Sequence, residues 1–207
     1  GGVAGRRAPG AEIGRADAPV AVTELRVEAA SPGALLGGAV GYNESPEVYV
    51  IVQDSVFAAS APGVYVGGIA GVQDADAPDA PPGTAPAVVS ADNEFEVTGE
   101  GAMVGGLYGE QRGSSPAGLA ERAQIHSTAD GAFIGGIAGR NSGTLRDSKA
   151  SGVVLKAGGP ANEAGGAVGR SEGAADAPAL IEDVTVLGGA DALLAAEADG
   201  EGARLGG

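Results

Sequence analysis

One phrase recurs along the chain. GGVAG stands at Gly1, GGAVG at Gly37, GGIAG at Gly67, GGLYG at Gly105, GGIAG at Gly135 and GGAVG at Gly165, and Leu205-Gly206-Gly207 begins a seventh copy. The steps between first glycines are 36, 30, 38, 30, 30 and 41 residues. Periods of this size mark solenoids and propellers, in which one small unit is copied along an axis and each copy buries the face of the next. Three identical steps, with an apolar residue recurring around each pair, separate this pattern from a chance product of glycine-rich composition.

The composition then bounds the core. Against 39 glycines there are no tryptophans, three phenylalanines, four tyrosines and one methionine. Large side chains fill thick cores, so this core is expected to be thin and built of Val, Ile, Leu and Ala. No Gly-X-Y register exists, which excludes collagen, and apolar residues at fixed offsets argue against disorder.

Aligned on the glycine pair, Val27, Phe57, Phe95, Ile125 and Leu155 each stand ten residues before a pair. Alternation around them, as in Leu25-Arg-Val27 or Phe95-Glu-Val97, predicts a strand with one buried face. Val184-Thr-Val186 offers the same alternation in the last unit. After a Gly/Ala/Pro turn comes a second predicted strand, the glycine phrase itself, as in Val66–Gly71. Glycine in a strand costs roughly 0.5–1 kcal/mol against alanine. Its repetition therefore predicts close backbone approach or a sharp bend at one corner of every coil. A third part, clearest in Arg140–Ser148, reads as a turn at Asn141-Ser-Gly143 followed by a short strand over Thr144–Ser148. Fragments of it recur at Asn43, Gln53-Asp-Ser55 and Gln111-Arg-Gly113. The expected fold is all-β: a single β-solenoid domain over residues 1–207, in about six imperfect coils of 30–41 residues. A propeller is the runner-up, and short units without tryptophan argue against it.

The phrase (V/I)GG(I/L)(A/V)G, then N-x-G-x-(I/L) and a D/N-S pair, resembles the GLUG repeat. Ile134–Ser148, reading IGGIAGRNSGTLRDS, is the fullest copy. The resemblance covers most of the chain. It implies a module of a larger secreted or wall-attached bacterial protein, of the kind found in large adhesins and upstream of immunoglobulin A-specific metalloendopeptidases. Asn-Gly turns are missing after Gly71, Gly109 and Gly169, which leaves the third strand open in those coils. Because the chain starts and stops within the phrase, it is expected to be a fragment that extends at both ends.

The longer steps share the string Ala-Asp-Ala-Pro, at Ala16–Pro19, Ala75–Pro78 and Ala175–Pro178. Insertions at one place of a unit project from one side of a solenoid. The longest, Asp74–Ala87, is proline-rich and expected to be extended and exposed. It is the candidate binding loop, with tolerated insertion as the plainer reading.

The net charge of -15 repels nucleic acid and anionic lipid, and there is no cysteine. Asp74, Asp76 and Asp79 invite a calcium reading, but they lack the order of an EF-hand loop. His126, the single histidine, has no second histidine or cysteine to complete a zinc site. Asp147 and Asp183, with Arg146 and Glu182 beside them, are carboxylates that stacking could bring together for carbohydrate chemistry, with a charged solvent face as the plainer reading. No GK[ST] or GxGxxG occurs. The reading is a structural stalk or adhesive module, secreted or at the cell surface, without catalytic residues, metal or cofactor. Its expected partners are neighbouring repeats and, where adhesive, a host or cell-surface protein or glycan, without nucleic acid or membrane insertion. The alternatives are an accessory region of an immunoglobulin A-type metalloendopeptidase and a carbohydrate-active solenoid.

Overall fold

The computed structural model describes residues 1–46, 49–77, 85–188 and 204–206. These form an all-β solenoid in which every ladder between coils is parallel. Each coil contributes to four sheets. The first sheet stacks Val20–Thr23, Val50–Gln53, Val88–Ala91, Gly118–Glu121, Ser148–Ser151 and Thr185–Leu187. The second stacks Arg26–Ala29, Val56–Ala59, Glu94–Val97, Gln124–Ser127 and Val154–Ala157. The third runs from Leu35–Gly37 through Tyr65–Gly67, Met103–Gly105, Phe133–Gly135 and Glu163–Gly165 to Arg204–Gly206. The fourth runs from Ala4–Arg7 through Val40–Asn43, Ala70–Gln73, Tyr108–Gln111 and Ala138–Asn141 to Val168–Ser171.

Both expected columns form. Val27, Phe57, Phe95, Ile125 and Leu155 are in register down the second sheet. Leu36, Val66, Val104, Ile134, Ala164 and Leu205 are in register down the third, so Leu205 does open a seventh copy. Phe57 and Phe95 stack with ring centroids 4.9 Å apart. The core is narrow and contiguous, made mainly of Val, Ile, Leu and Ala.

The glycine phrase is two strands, not the one expected. The chain bends between the third and fourth sheets at the second glycine and the residue after it. Each glycine has its own steric reason. A Cβ on the second glycine would lie under 3.0 Å from the carbonyl oxygen of the same glycine one coil on: Gly38 against Gly68, Gly68 against Gly106, Gly106 against Gly136, Gly136 against Gly166. A Cβ on the first would meet the carbonyl three residues ahead, as Gly135 meets Ala138. One on the last would strike the third-sheet strand of the preceding coil, as Gly109 would strike the Val66 nitrogen at 2.6 Å. Close backbone approach therefore holds the phrase constant. The ladder continues through the bend, with Gly38 N–H donating to Gly68 O at 3.1 Å and Ala39 N–H to Ile69 O at 3.0 Å.

Three further readings are corrected. The first sheet was hidden, because its strands and those of the second sheet are separated only by a two-residue corner. The first corner residue takes a left-handed backbone at Glu24, Asp54, Asp92, Arg122 and Gly152, with φ between 50° and 64°. Val184-Thr-Val186 belongs to the first sheet, since Thr185 pairs with Lys149 and Val186 with Ala150. Thr144–Arg146 is a strand of its own, pairing with Leu180–Glu182 in a small fifth sheet, and Ser148 already starts the next strand. After Gly71 and Gly109, where the turn motif is missing, this fifth sheet shrinks to single bridges, Asp76 to Ser114 and Ser114 to Thr144.

The Ala-Asp-Ala-Pro insertions all leave between the fourth and first sheets. Two copies close tight turns: Ala18 N–H donates to Arg15 O at 3.0 Å, and Ala177 N–H to Ala174 O at 3.1 Å. The middle copy is different. Ala75 and Ala77 are buried, and Asp76 bridges along the ladder. Asp74, Asp76, Ala85 and Pro86 are exposed, as expected of the longest insertion, while Ala75 and Ala77 fix its amino-terminal root to the rod; residues 78–84 lie outside the described residues.

Candidate functional site

Asp147 and Asp183 occupy equivalent positions. Each follows a fifth-sheet strand and precedes a first-sheet strand, in a left-handed corner with φ 48° and 50°. Arg146 and Glu182 are in register beside them. The repeat thus places the two carboxylates one coil apart, about 4.8 Å along the axis. Asp147 lines a shallow hollow with Lys149, Leu119 and Pro86. Arg146 donates to Ala77 O at 2.7 Å, which ties the guanidinium to the root of the long insertion.

The other candidates are dispersed. His126 is exposed on the second sheet, between Glu96 and Lys156 in its column. Asp74 accepts a hydrogen bond from the Tyr42 hydroxyl, and Asp76 accepts from Ser114 N–H at 3.2 Å. Each aspartate is thus engaged in cross-coil structure, and among the described residues no group of three or more His, Cys, Asp or Glu could hold a metal ion. Asp79 lies outside the described residues.

Two arrangements were not anticipated. One is a polar ladder in the fourth sheet, where the buried Arg7, Asn43, Gln73, Gln111 and Asn141 follow in register and the exposed Ser171 ends the column. Asn43 Nδ2 donates to Gln73 Oε1 at 2.6 Å, and Gln111 Nε2 donates to Gly113 O at 2.8 Å. Inside a narrow coil such amides satisfy turn carbonyls that the sheets leave unpaired. Its signal was a polar residue two places after each GGxxG.

The other is a half-exposed face where the third and fourth sheets meet. Leu35, Tyr65, Met103 and Phe133 form one column down the third sheet, each partly buried. Glu163 follows Phe133 in register. The Arg170 guanidinium lies 4.2 Å from the Phe133 ring centroid and donates two hydrogen bonds of 2.8 Å to Glu163. These bonds hold the Glu163 carboxyl below its ordinary range, against a smaller opposing effect of burial. Two coils back from Arg170, the Glu110 carboxylate is nearly covered and sits between Arg112 at 2.7 Å and Arg140 at 3.2 Å. At the other end, Arg6 reaches Glu44 at 2.7 Å and lies over the Tyr42 ring. Tyr, Phe, Met and Arg are the side chains enriched at protein interfaces, and nothing in the repeat pattern distinguished this column from the buried ones.

No family model, curated protein or solved structure matches the chain.

Proposed function

We propose that the chain is a structural stalk or adhesive repeat module of a larger secreted or cell-surface bacterial protein, without catalysis of its own. The observation that carries this reading is the continuity of the ladders. Four sheets pass through successive coils in constant register, and insertions enter at the fourth-to-first-sheet junction without breaking it. Such a body resists extension along its axis because every coil is hydrogen-bonded to the next. The likeness of Ile134–Ser148 to the GLUG repeat supports the same reading and adds, as the alternative setting, the accessory region of an immunoglobulin A-type metalloendopeptidase.

A second reading, a carbohydrate-active solenoid, draws on the equivalence of Asp147 and Asp183. A screen of the purified chain for glycan and peptide retention and turnover, with and without divalent cation, separates the readings. Retention without turnover, lost on deletion of residues 78–84, selects adhesion. Neither retention nor turnover selects the stalk. Turnover abolished by Asp147→Asn or Asp183→Asn overturns the proposal.

A further inference from the structure

We propose that the face joining the third and fourth sheets pairs with the same face of a second copy of this chain, side by side and antiparallel. The inference does not depend on whether the rod also binds a ligand.

Charge is the first argument. The chain carries a net charge of -15, so two copies repel each other across most of their surface. On this face, among the described residues, five arginines meet five carboxylates. Its amino-terminal part has Arg6 against Glu44 and Asp74, an excess of one negative charge. Its carboxy-terminal part has Arg112, Arg140, Arg170 and Arg204 against Glu110, Glu163 and Glu172, an excess of one positive charge. An antiparallel pair lays the acidic end of each copy over the basic end of the other. A parallel pair would set like ends together.

The apolar column gives the register. Leu35, Tyr65, Met103 and Phe133 occupy four successive coils and run alongside the charged side chains that follow the fourth-sheet register. A two-fold axis between Tyr65 and Met103 places Tyr65 against the partner's Met103 and Leu35 against the partner's Phe133. That is the self-complementary arrangement an isologous interface requires. Partly buried aromatics backed by a regular ladder lose little side-chain freedom on contact, which suits them as anchors. Arg170, already fixed over Phe133, closes the rim.

Sedimentation velocity over a concentration series tests the pairing. The chain should shift from one copy towards two as concentration rises. Met103→Glu, whose fold is checked by circular dichroism, should weaken association by about tenfold or more. The arrangement is tested by oxidation, because the chain has no native cysteine. A mixture of Leu35→Cys and Phe133→Cys should give the mixed disulfide dimer in preference to either homodimer. A monomer throughout, or Met103→Glu pairing as tightly as the parent, overturns the proposal. Leu35→Cys linking preferentially to itself overturns the antiparallel arrangement.

Discussion

Gly131 and Ala161 occupy the same turn position of successive coils, both with a left-handed backbone, at φ 62° and 55°. Gly33, Gly63 and Gly101 hold that position in the earlier coils. A Cβ at Gly131 would meet nothing within 4 Å, so the cost of a side chain there is conformational alone. A left-handed backbone costs a non-glycine residue roughly 1–2 kcal/mol, partly offset by the greater unfolded-state freedom of glycine. Ala161→Gly should therefore stabilise by about 0.5 kcal/mol, and Gly131→Ala should destabilise by about 1 kcal/mol. Urea melts of the two variants check both signs.

The second glycine of the phrase behaves differently. At Gly136 the obstacle is the Gly166 carbonyl oxygen of the next coil, with the Ala150 side chain at 3.3 Å. Neither can move without parting two coils. Gly136→Val should lose about 2 kcal/mol or more. A loss below about 0.5 kcal/mol in urea melts would mean that the backbones do not approach as described.

Tyr108 is wholly buried, where the neighbouring coils carry Ala70 and Ala138, and its hydroxyl has no hydrogen-bond partner among the described groups. Burial pushes the phenol's pKa up. A buried hydroxyl without a partner costs roughly 1–3 kcal/mol. Tyr108→Phe keeps the ring and removes that cost, so stability should rise by about 1 kcal/mol. A clear fall in the denaturation midpoint would mean that the hydroxyl is satisfied.

The Arg170–Glu163 pair sets a pH dependence. The Glu163 carboxyl has a lowered pKa in the folded chain, from an ordinary value of 4.5. Its contribution is complete above that unfolded value and is lost as pH falls through the folded one. The stability difference between the parent chain and Glu163→Gln should be present at neutral pH and shrink progressively below about pH 4.5. Paired melts across this range should converge at the acid end; a difference that widens there contradicts the assigned pairing.

The legible part of the fold was what recurs at a fixed offset from the glycines. Val66, Val104 and Ile134 announce their column because the residue beside them is fixed sterically. Corners made by residues other than glycine were not legible. Asp54, Asp92 and Arg122 adopt the left-handed conformation without a marker, so the first-sheet strand before each corner was not read as a strand. The same blindness placed Val184-Thr-Val186 in the wrong sheet, since Asp183 turns the chain as Asp54 does but at a different corner. Of the candidate site, the equivalence of Asp147 and Asp183 could be read from the repeat. The Phe133–Arg170–Glu163 cluster could not, because it joins residues of two sheets whose relative placement depends on the bend at Gly166 and Ala167.

Coil-to-coil register is the claim on which the other statements rest, and methyl–methyl nuclear Overhauser effects measure it directly. With Val and Ile methyls labelled, strong cross-peaks should link Val66 to Val104 and Val104 to Ile134, in keeping with pairs 38 and 30 residues apart. Val66 and Ile134, two coils and about 9.6 Å apart, should give a much weaker peak. Absence of both neighbour peaks, or a Val66–Ile134 peak as strong as either, would contradict the solenoid.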